Sequence, residues 1–266
     1  PITAEKSCSR LSTHLTYGTI SHRTVFQEAT KKREQIKYMN KYFAKSINSF
    51  LSRLHWRSHF IQKLEDQPSI EHTSFIPVYD QIRDKDEEKL EAWIEGKTGV
   101  HFIDACMIYL RNYGWINFRM RAMLASFASY NLWLDWRYFA PRLAALFTDF
   151  EPGIHYSQIQ MQSGTTGINT IRMYNPYKQA MDQDPLGKFI KSQIPEVKNF
   201  SPAFFHNPPK KSLNVNLFDN EVQKEIINVK ETAQYARKKI FDIRKSQEHK
   251  ILAKNVYLKH GSRGRS

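Results

Sequence analysis

The sequence has little of what disulfide-bonded, metal-binding or membrane proteins require. Its 266 residues include only two cysteines, Cys8 and Cys106, which lie far apart and lack a Cys-x-x-Cys spacing. This excludes a disulfide framework, and two thiols cannot supply the four ligands of an iron–sulfur cluster. There is no uninterrupted apolar run of about 18 residues and no charged-then-apolar signal layout at the N-terminus. We therefore expect a soluble, cytoplasmic, monomeric protein without a metal.

Acidic residues are also scarce relative to basic ones. The chain has 26 Asp and Glu against 40 Lys and Arg, and its formal net charge is +14 at pH 7. Such an excess favours a polyanionic partner such as DNA, because phosphate contacts release counterions. A basic surface can also serve solubility, so charge alone leaves both interpretations open. The length and the 41% hydrophobic share predict one domain with a sizeable core, over residues 1–266.

The stretch from Trp93 to Trp136 contains two apolar helical patterns that meet at Gly114-Trp115. Residues at helical spacing are Ile103, Met107 and Leu110 in the first pattern, and Met120, Leu124, Phe127 and Leu134 in the second. Arg119 and Arg121 follow the break. Burying guanidinium groups beside apolar side chains is costly without an anion, so this helix start is predicted to face a cofactor, a carboxylate or a phosphate. A solvated rim is the alternative.

The same stretch resembles the flavin-binding half of the DNA photolyase and cryptochrome superfamily. The residues that carry the resemblance are Trp93, Glu95 to Gly99, Asp104-Ala105, Gly114-Trp115, Arg119, Arg121, Ala125 to Phe127, and Leu134 to Trp136. The similarity extends from about Ser7 to Pro195 and implies an all-α, multi-helix FAD-binding domain. The α/β antenna domain that the family places before this domain is expected to be absent from this chain.

The resemblance also assigns an FAD site. The loop at Ser7 to Ser12 is similar to the one that holds the FAD pyrophosphate, and residues 149–155 are similar to the acidic loop at the flavin. By this match Arg121 pairs with Asp149. The implied cofactor-binding residues are Ser9, Arg10, Leu11, Ser12, Phe50, Arg57, Phe118, Arg121, Asp149, Glu151, Gly153 and His155.

Two residues are implied to act in the chemistry, His155 and Trp136. His155 falls where the family has an asparagine facing the flavin, and an imidazole there can donate or relay a proton near physiological pH. A structural histidine bonded to backbone is the equal alternative. Trp136 matches the middle one of three electron-carrying tryptophans, whereas Ile159 replaces the innermost and Arg83 the outermost. The usual electron chain is therefore predicted to be broken.

A substrate-binding set follows from the same resemblance. Trp56 matches the tryptophan that stacks against a flipped pyrimidine dimer, and Arg53 replaces the glutamate that hydrogen-bonds the dimer. Arg119 is expected to grip phosphate, and Met161 replaces a tryptophan of the pocket. A cation at position 53 cannot accept the hydrogen bonds that the glutamate makes.

The resemblance implies FAD-dependent, blue-light-driven repair of UV-damaged DNA, single- or double-stranded, by electron transfer from reduced flavin to a flipped pyrimidine lesion. This is the activity of a deoxyribodipyrimidine photo-lyase. The alternative is a cryptochrome-like blue-light photoreceptor or a flavin redox protein without repair activity. The basic charge, Trp56 and Arg57 favour repair, whereas Arg53, Phe118 and Met161 favour the alternative.

The remaining segments give coarser predictions. Residues 24–64 are predicted to be helical, and residues 65–91, which are polar and contain prolines, to form a surface connection with short helices. Residues 195–220 read as a surface loop. Residues 246–266 are predicted to be a mobile basic tail, since they have little to bury.

Overall fold

The structure, a computed structural model, describes residues 3–207 and 223–261, and its regular secondary structure consists of helices. The α-helices are α1 Ala4–Ser7, α2 Ser12–Thr16, α3 His22–Ile36, α4 Lys41–Asp66, α5 Glu87–Glu95, α6 His101–Tyr113, α7 Phe118–Ser126, α8 Trp136–Ala144, α9 Pro152–Ser163, α10 Pro176–Gln183, α11 Lys188–Gln193, α12 Pro202–His206, α13 Val229–Lys245 and α14 Gln247–His260. In these ranges the sole β-type pairing is an isolated bridge between Asp84 and Leu134. The all-α prediction is confirmed.

Local sequence explains where the central helices begin and end. Asp86 caps α5, since its side chain accepts a hydrogen bond from the Lys89 backbone N–H. Gly96 ends α5 at φ 71° and Gly114 ends α6 at φ 64°, a left-handed conformation that glycine adopts without steric cost. The predicted break at Gly114-Trp115 is therefore confirmed.

The chain consists of two compact units, each with its own internal packing. The first unit comprises residues up to Cys8, His72–Phe147 and residues from Gln158 onward, and the second comprises Ser9–Glu71 and Thr148–Ser157. One boundary falls inside α9. The assignment of residues 1–266 to one FAD-binding domain stays a prediction.

Helix α6 is the centre of the first unit. It contacts α5, α7, α10 and α11, and its side chains are buried on nearly every face. The buried residues of α6 are Phe102, Ile103, Asp104, Ala105, Cys106, Met107, Tyr109 and Leu110. A helix that is apolar all round must be enclosed by other helices, as this one is.

The second unit is built on α3 and α4, which confirm the helices predicted for residues 24–64. Its buried core consists of Val25, Ile47, Leu51 and Leu54. Partly buried side chains that pack on this core include Leu11 and Leu15 from the segment before α3. The core therefore fixes the segment that holds the predicted pyrophosphate loop.

The prediction for residues 65–91 was partly wrong. Short 3₁₀-helices occur there, at Pro68–Glu71 and Pro77–Gln81, as expected. However, Ile70 and Ile76 are fully buried, and Arg83 is only 7% exposed. The two isoleucines are isolated and follow no helical period, and an arginine in a polar segment is expected to be solvated. The sequence pattern therefore did not reveal the burial of these three residues.

The C-terminal segment ends in helix α14, where the sequence had predicted a mobile tail. His249 and His260 of this helix are buried, and the Nε2 atom of His249 lies 2.9 Å from the Tyr79 hydroxyl oxygen. Residues 262–266 lie outside the described residues, as do residues 208–220 of the predicted surface loop. Earlier in that loop the prediction was wrong, because Pro202–His206 form α12 and Phe205 is buried. The mobility of the tail stays a prediction. Among the described helices, none is long and apolar enough to cross a membrane.

Candidate functional site

In the second unit, Trp56 and Arg57 lie side by side on α4 and project about 100° apart around the helix. Arg57 Nη2 lies 2.9 Å from Glu151 Oε2 and 3.5 Å from the Leu15 carbonyl oxygen. Both side chains of the ion pair are mostly buried, at 18% and 21% exposure. This pair holds α4 to the acidic loop. Arg57 and Glu151 were each predicted to lie at the flavin, but their ion pair was not predicted.

The acidic loop is held within the second unit by further contacts. The Thr16 hydroxyl donates to the Asp149 carbonyl oxygen at 3.4 Å. A Cβ atom on Gly153 would lie 2.7 Å from the Ile61 Cα atom, so α9 can approach α4 this closely only with glycine there. Helix packing is therefore sufficient to explain Gly153, and its predicted contact with FAD stays a prediction.

His155 sits in an aromatic cluster near the start of α9. Its ring lies 5.4 Å from the Phe150 ring and 5.2 Å from the Tyr156 ring, both edge to face, and its side chain is buried. Aromatic edges restrict the orientation of the imidazole. The predicted proton role of His155 stays a prediction.

The predicted pyrophosphate loop precedes α2. Ser9 and Arg10 are exposed, Leu11 and Ser12 are half-buried, and Arg10 has a φ of 56°. Left-handed backbone is uncommon for a residue other than glycine and concentrates at functional sites. Because α2 has only five residues, its dipole is short, and phosphate binding would depend on hydroxyl, backbone and guanidinium donors.

Trp56 is the largest exposed aromatic group of this region, with 49% of its surface exposed. The Arg53 guanidinium carbon lies 5.2 Å from the indole centroid, and the Phe60 ring meets the indole edge to face at 6.1 Å. One turn farther along α4, Lys63 Nζ lies 5.5 Å from the Phe60 centroid. Arg53, Trp56, Phe60 and Lys63 thus form a strip in which a cationic side chain flanks the two aromatic rings at each end.

In the first unit, Phe118 and Arg119 are exposed at the start of α7. Arg121 Nε donates to the Ile116 carbonyl oxygen at 2.6 Å, and its guanidinium carbon lies 4.2 Å from the Phe147 ring centroid. The guanidinium of Arg121 is therefore satisfied in part within its own unit. Its predicted pairing with Asp149 joins residues of the two units and stays a prediction.

The electron-carrier positions also lie in the first unit. Trp136 is 1% exposed, and its Nε1 donates to the Ser74 hydroxyl at 2.9 Å. Ile159 is buried and Met161 is half-buried. Arg83, at the place of the outermost tryptophan, is enclosed between the rings of Tyr130 and Trp133, at 5.5 and 5.0 Å from its guanidinium carbon. The sequence predicted that Arg83 replaces the outermost tryptophan, but not that two aromatic rings enclose it.

Comparison with known proteins places the chain in a family. Residues 50–254 match the family described as the FAD binding domain of DNA photolyase. The chain belongs to this family. The match covers more than half of the chain and agrees with the helical architecture, which confirms the family resemblance read from the sequence. FAD is the cofactor of this domain.

Individual relatives agree with the family. The chain is 30% identical over 208 residues to a deoxyribodipyrimidine photo-lyase of Streptomyces griseus, covering 78% of this chain and 43% of the relative. It is 30% identical to an archaeal photolyase of Sulfolobus tokodaii whose structure holds two FAD molecules, with a TM-score of 0.73 and coverage of 88% and 50%. A Synechocystis cryptochrome, at 23% identity, a TM-score of 0.75 and coverage of 86% and 48%, shows the fold alone. The chain spans about half of these relatives or less.

The donor set of the second unit fits FAD. Ser9 and Arg10 are exposed and carry the kind of donors that a diphosphate requires, and Glu151 carries acceptor oxygens that suit a polar ring system or ribityl hydroxyls. Arg57 balances the charge of Glu151 at 2.9 Å. The remaining assignments of FAD-binding residues stay predictions.

Proposed function

We propose that this domain takes part in light-driven repair of UV-damaged DNA, as the FAD-binding part of a photolyase. The observation that carries the proposal is Trp56, an indole that is half exposed on α4 beside the Arg57–Glu151 ion pair. An exposed aromatic platform suits a base that has been extruded from the helix, and stacking contributes about 1–3 kcal/mol per base. The names of the relatives support the same reaction.

The cationic side chains supply the contacts to DNA in this proposal. Arg53 lies next to the indole and donates to carbonyl oxygens of a lesion, since a guanidinium can only donate. Arg119, exposed at the start of α7, grips a phosphate. The net charge of +14 supplies attraction that is independent of sequence.

When bound, reduced FAD supplies the electron that splits the lesion. The residues of the chain position and protect this chemistry. In this proposal the Arg57–Glu151 pair orients polar groups at the cofactor, and the buried ring of His155 holds or donates a proton. Trp136 is almost fully buried, which shields its ring from a reductant in solvent.

The second candidate is a blue-light photoreceptor or a flavin redox protein without repair activity. Arg53 favours it, because its guanidinium lies over the indole face that a base would need. Ile159 and Met161 favour it too, since neither side chain carries electrons or stacks as the tryptophans of the family do. Either candidate uses the same FAD domain.

The experiment is light-dependent repair by the full chain, loaded with FAD and reduced beforehand. The substrates are single-stranded and duplex oligonucleotides with one cyclobutane dimer or one (6-4) product, and dark samples are controls. We expect restoration of intact bases in the light alone, at least tenfold slower in Trp56→Ala. Tyr38→Ala removes an aromatic group that is 83% exposed and outside the proposed site, and should repair like the unchanged protein.

The outcomes separate the two candidates. Absence of repair on both lesions, in protein that binds FAD and responds to light, contradicts repair and favours the photoreceptor. Repair that is equally fast in Trp56→Ala and Tyr38→Ala contradicts the role of Trp56. FAD content is measured by absorbance for each variant, so that loss of cofactor is not mistaken for loss of the lesion platform.

A further inference from the structure

Arg83 is a guanidinium enclosed by the first unit. It is 7% exposed, and it donates through Nε to the Ser129 carbonyl oxygen at 3.0 Å and through Nη2 to the Ser163 carbonyl oxygen at 2.7 Å. The Tyr130 and Trp133 rings flank it. Burial lowers the pKa of Arg83, yet an arginine stays protonated in a folded protein, so the positive charge remains.

Four polar groups of this region lack partners among the described residues. They are Arg83 Nη1 and the hydroxyl groups of Ser129, Tyr130 and Ser163, all of them buried. Leaving a buried polar group unpaired is unfavourable, most of all for a charged one. All four groups can donate a hydrogen bond, and Arg83 Nη1 can only donate. The guanidinium therefore needs an acceptor.

The backbone brings these groups to the same place. Arg83 is bonded to the carbonyl oxygens of Ser129 and Ser163, so two of the unpaired hydroxyl groups belong to residues that contact the guanidinium. A Cβ atom on Gly164 would lie 2.4 Å from the Tyr130 hydroxyl oxygen, which puts this hydroxyl against the Ser163-Gly164 turn. The unpaired hydroxyl groups therefore belong to residues that contact Arg83 or the turn beside it.

Protein carboxylates do not balance the charge. In the described part of the chain, no acidic side chain forms an ion pair with Arg83; its electrostatic partners are Tyr130, then Asp135 and Tyr79, of which only Asp135 is a carboxylate. The Asp135 carboxylate is already bound by Arg137, whose Nε lies 3.1 Å from both carboxylate oxygens. Arg244 adds a second positive charge, because it also acts on Tyr130. The cluster has an excess of positive charge.

Two rare backbone conformations shape the enclosure. Ser129 and Tyr130 belong to a π-helix, Phe127–Asn131, that continues α7. Trp133 then has a φ of 58°, in the left-handed region, where an aromatic residue is an outlier. π-helices and strained residues concentrate at functional sites. Here both are on the segment that wraps around Arg83.

We propose that Arg83 Nη1, with the neighbouring hydroxyl groups of Ser129, Tyr130 and Ser163, binds a small buried monovalent anion such as chloride. The anion neutralises the guanidinium and accepts the unpaired donors. A water molecule would satisfy single donors but would leave the charge unbalanced in a medium of low dielectric constant. This site is independent of the proposed repair function, since it needs neither FAD nor DNA.

The first test is crystallographic and uses the FAD-loaded protein grown in bromide. We expect an anomalous bromide peak beside Arg83 Nη1. The second test is the thermal unfolding midpoint at constant ionic strength, in sodium chloride or bromide against sodium gluconate, whose anion is too large to enter. We expect chloride and bromide to raise the midpoint saturably, by about 3–6 °C.

Variants test whether the stabilisation by chloride arises at Arg83. Arg83→Met keeps the length and apolar bulk of the side chain and should abolish the difference between chloride and gluconate. Arg142→Met, which removes an exposed cation paired with Glu87 and Glu91 in the same unit, should keep it. Should Arg83→Met fail to fold, Ser163→Ala and Tyr130→Phe each remove one donor and should shift the midpoint curve to higher chloride concentration.

The proposal is overturned by a water molecule without anomalous signal at Arg83. Equal midpoints in chloride and gluconate overturn it as well. A bromide peak without any effect on the unfolding midpoint means binding at crystal concentration only, and also overturns it. A chloride effect that survives in Arg83→Met or in both hydroxyl variants shows that the anion binds elsewhere.

Discussion

Arg57 and Arg83 are both withdrawn from solvent, yet the two units treat them differently. Arg57 of the second unit has a carboxylate at 2.9 Å, and the pair retains about a fifth of its surface in solvent. Arg83 of the first unit is 7% exposed and is bound by two carbonyl oxygens and two rings. The comparison teaches that a buried cation without a carboxylate needs another source of negative charge.

His101 shows a third way in which a cationic side chain can be buried. It also lies in the first unit, between the rings of Phe204 and Phe205 at 5.2 and 5.7 Å, and its Nε2 has no partner in the described ranges. Burial lowers its pKa to about 4, so the imidazole is neutral at pH 7. A histidine can discard its charge, whereas an arginine cannot.

The largest effect is expected for alanine at Arg83, and it is measured against alanine at Arg57. Arg83→Ala should lower the free energy of unfolding by about 3–5 kcal/mol, because it leaves a cavity and removes the donors to Ser129 and Ser163. Arg57→Ala should cost about 1–2 kcal/mol, since its ion pair is partly solvated. Urea denaturation of FAD-free protein measures both without a contribution from cofactor affinity. Equal losses would remove the distinction between the two arginines.

An intermediate effect is expected at Gly164, which closes the enclosure of Arg83. Gly164→Ala should cost about 2–3 kcal/mol, because φ is 73° and the added Cβ would lie 2.4 Å from the Tyr130 hydroxyl oxygen. Tyr130→Phe removes that oxygen, and the ring carbon that carries it is 3.5 Å away, an ordinary contact. The double variant should therefore recover about 1 kcal/mol of the loss. Strictly additive losses in a double-mutant cycle would show that Tyr130 does not contact this turn.

A smaller effect is expected from the titration of His101. Its folded pKa of about 4 is below the ordinary value of 6.5, so its contribution to stability is complete above pH 6.5 and is lost as pH falls toward 4. Relative to His101→Phe, the unchanged protein should lose about 2 kcal/mol between pH 7 and pH 4.5. Urea denaturation at both pH values measures this difference, and parallel pH profiles would contradict it.

The pH dependence of stability has to be measured as a difference between two proteins, because Asp104 also contributes to it. Burial raises the pKa of the Asp104 carboxyl to about 7, although it accepts hydrogen bonds from Thr98 and Gly99. A raised pKa contributes stability at low pH that is lost as pH rises toward 7, which is opposite in sign to His101. Because Asp104 is present in both proteins, its contribution cancels in the comparison.

The sequence predicted the fold well where its signals were local. Gly114, after an apolar helical pattern, marked the end of α6, and ordered motifs identified the family and FAD. Periodicity failed for the buried residues Ile70, Ile76 and Arg83. Two of them are held by residues distant in sequence, since the Ile76 backbone N–H donates to the Thr165 carbonyl oxygen and Arg83 donates to that of Ser163. A lone charged residue in a polar segment reads as solvated, and nothing local distinguishes Arg83 from Lys85.

The candidate site was predictable in part. The resemblance named Arg57 and Glu151 individually, but their ion pair depends on the packing of α9 against α4 at Gly153. The same packing gives Gly153 a structural reason that no motif contained. Pairings such as Arg121 with Asp149 stay predictions, since they join the two units.

The π-helix at Phe127–Asn131 makes the number of residues in this segment as important as their identity. A π-turn contains one residue more than an α-turn, so deleting one residue would let α7 continue as a regular helix. Every side chain after the deletion would then rotate by about 100° relative to α7. Ser129 and Tyr130 would leave Arg83 without any change in composition, so a single-codon deletion here would open the enclosure that point substitutions only weaken.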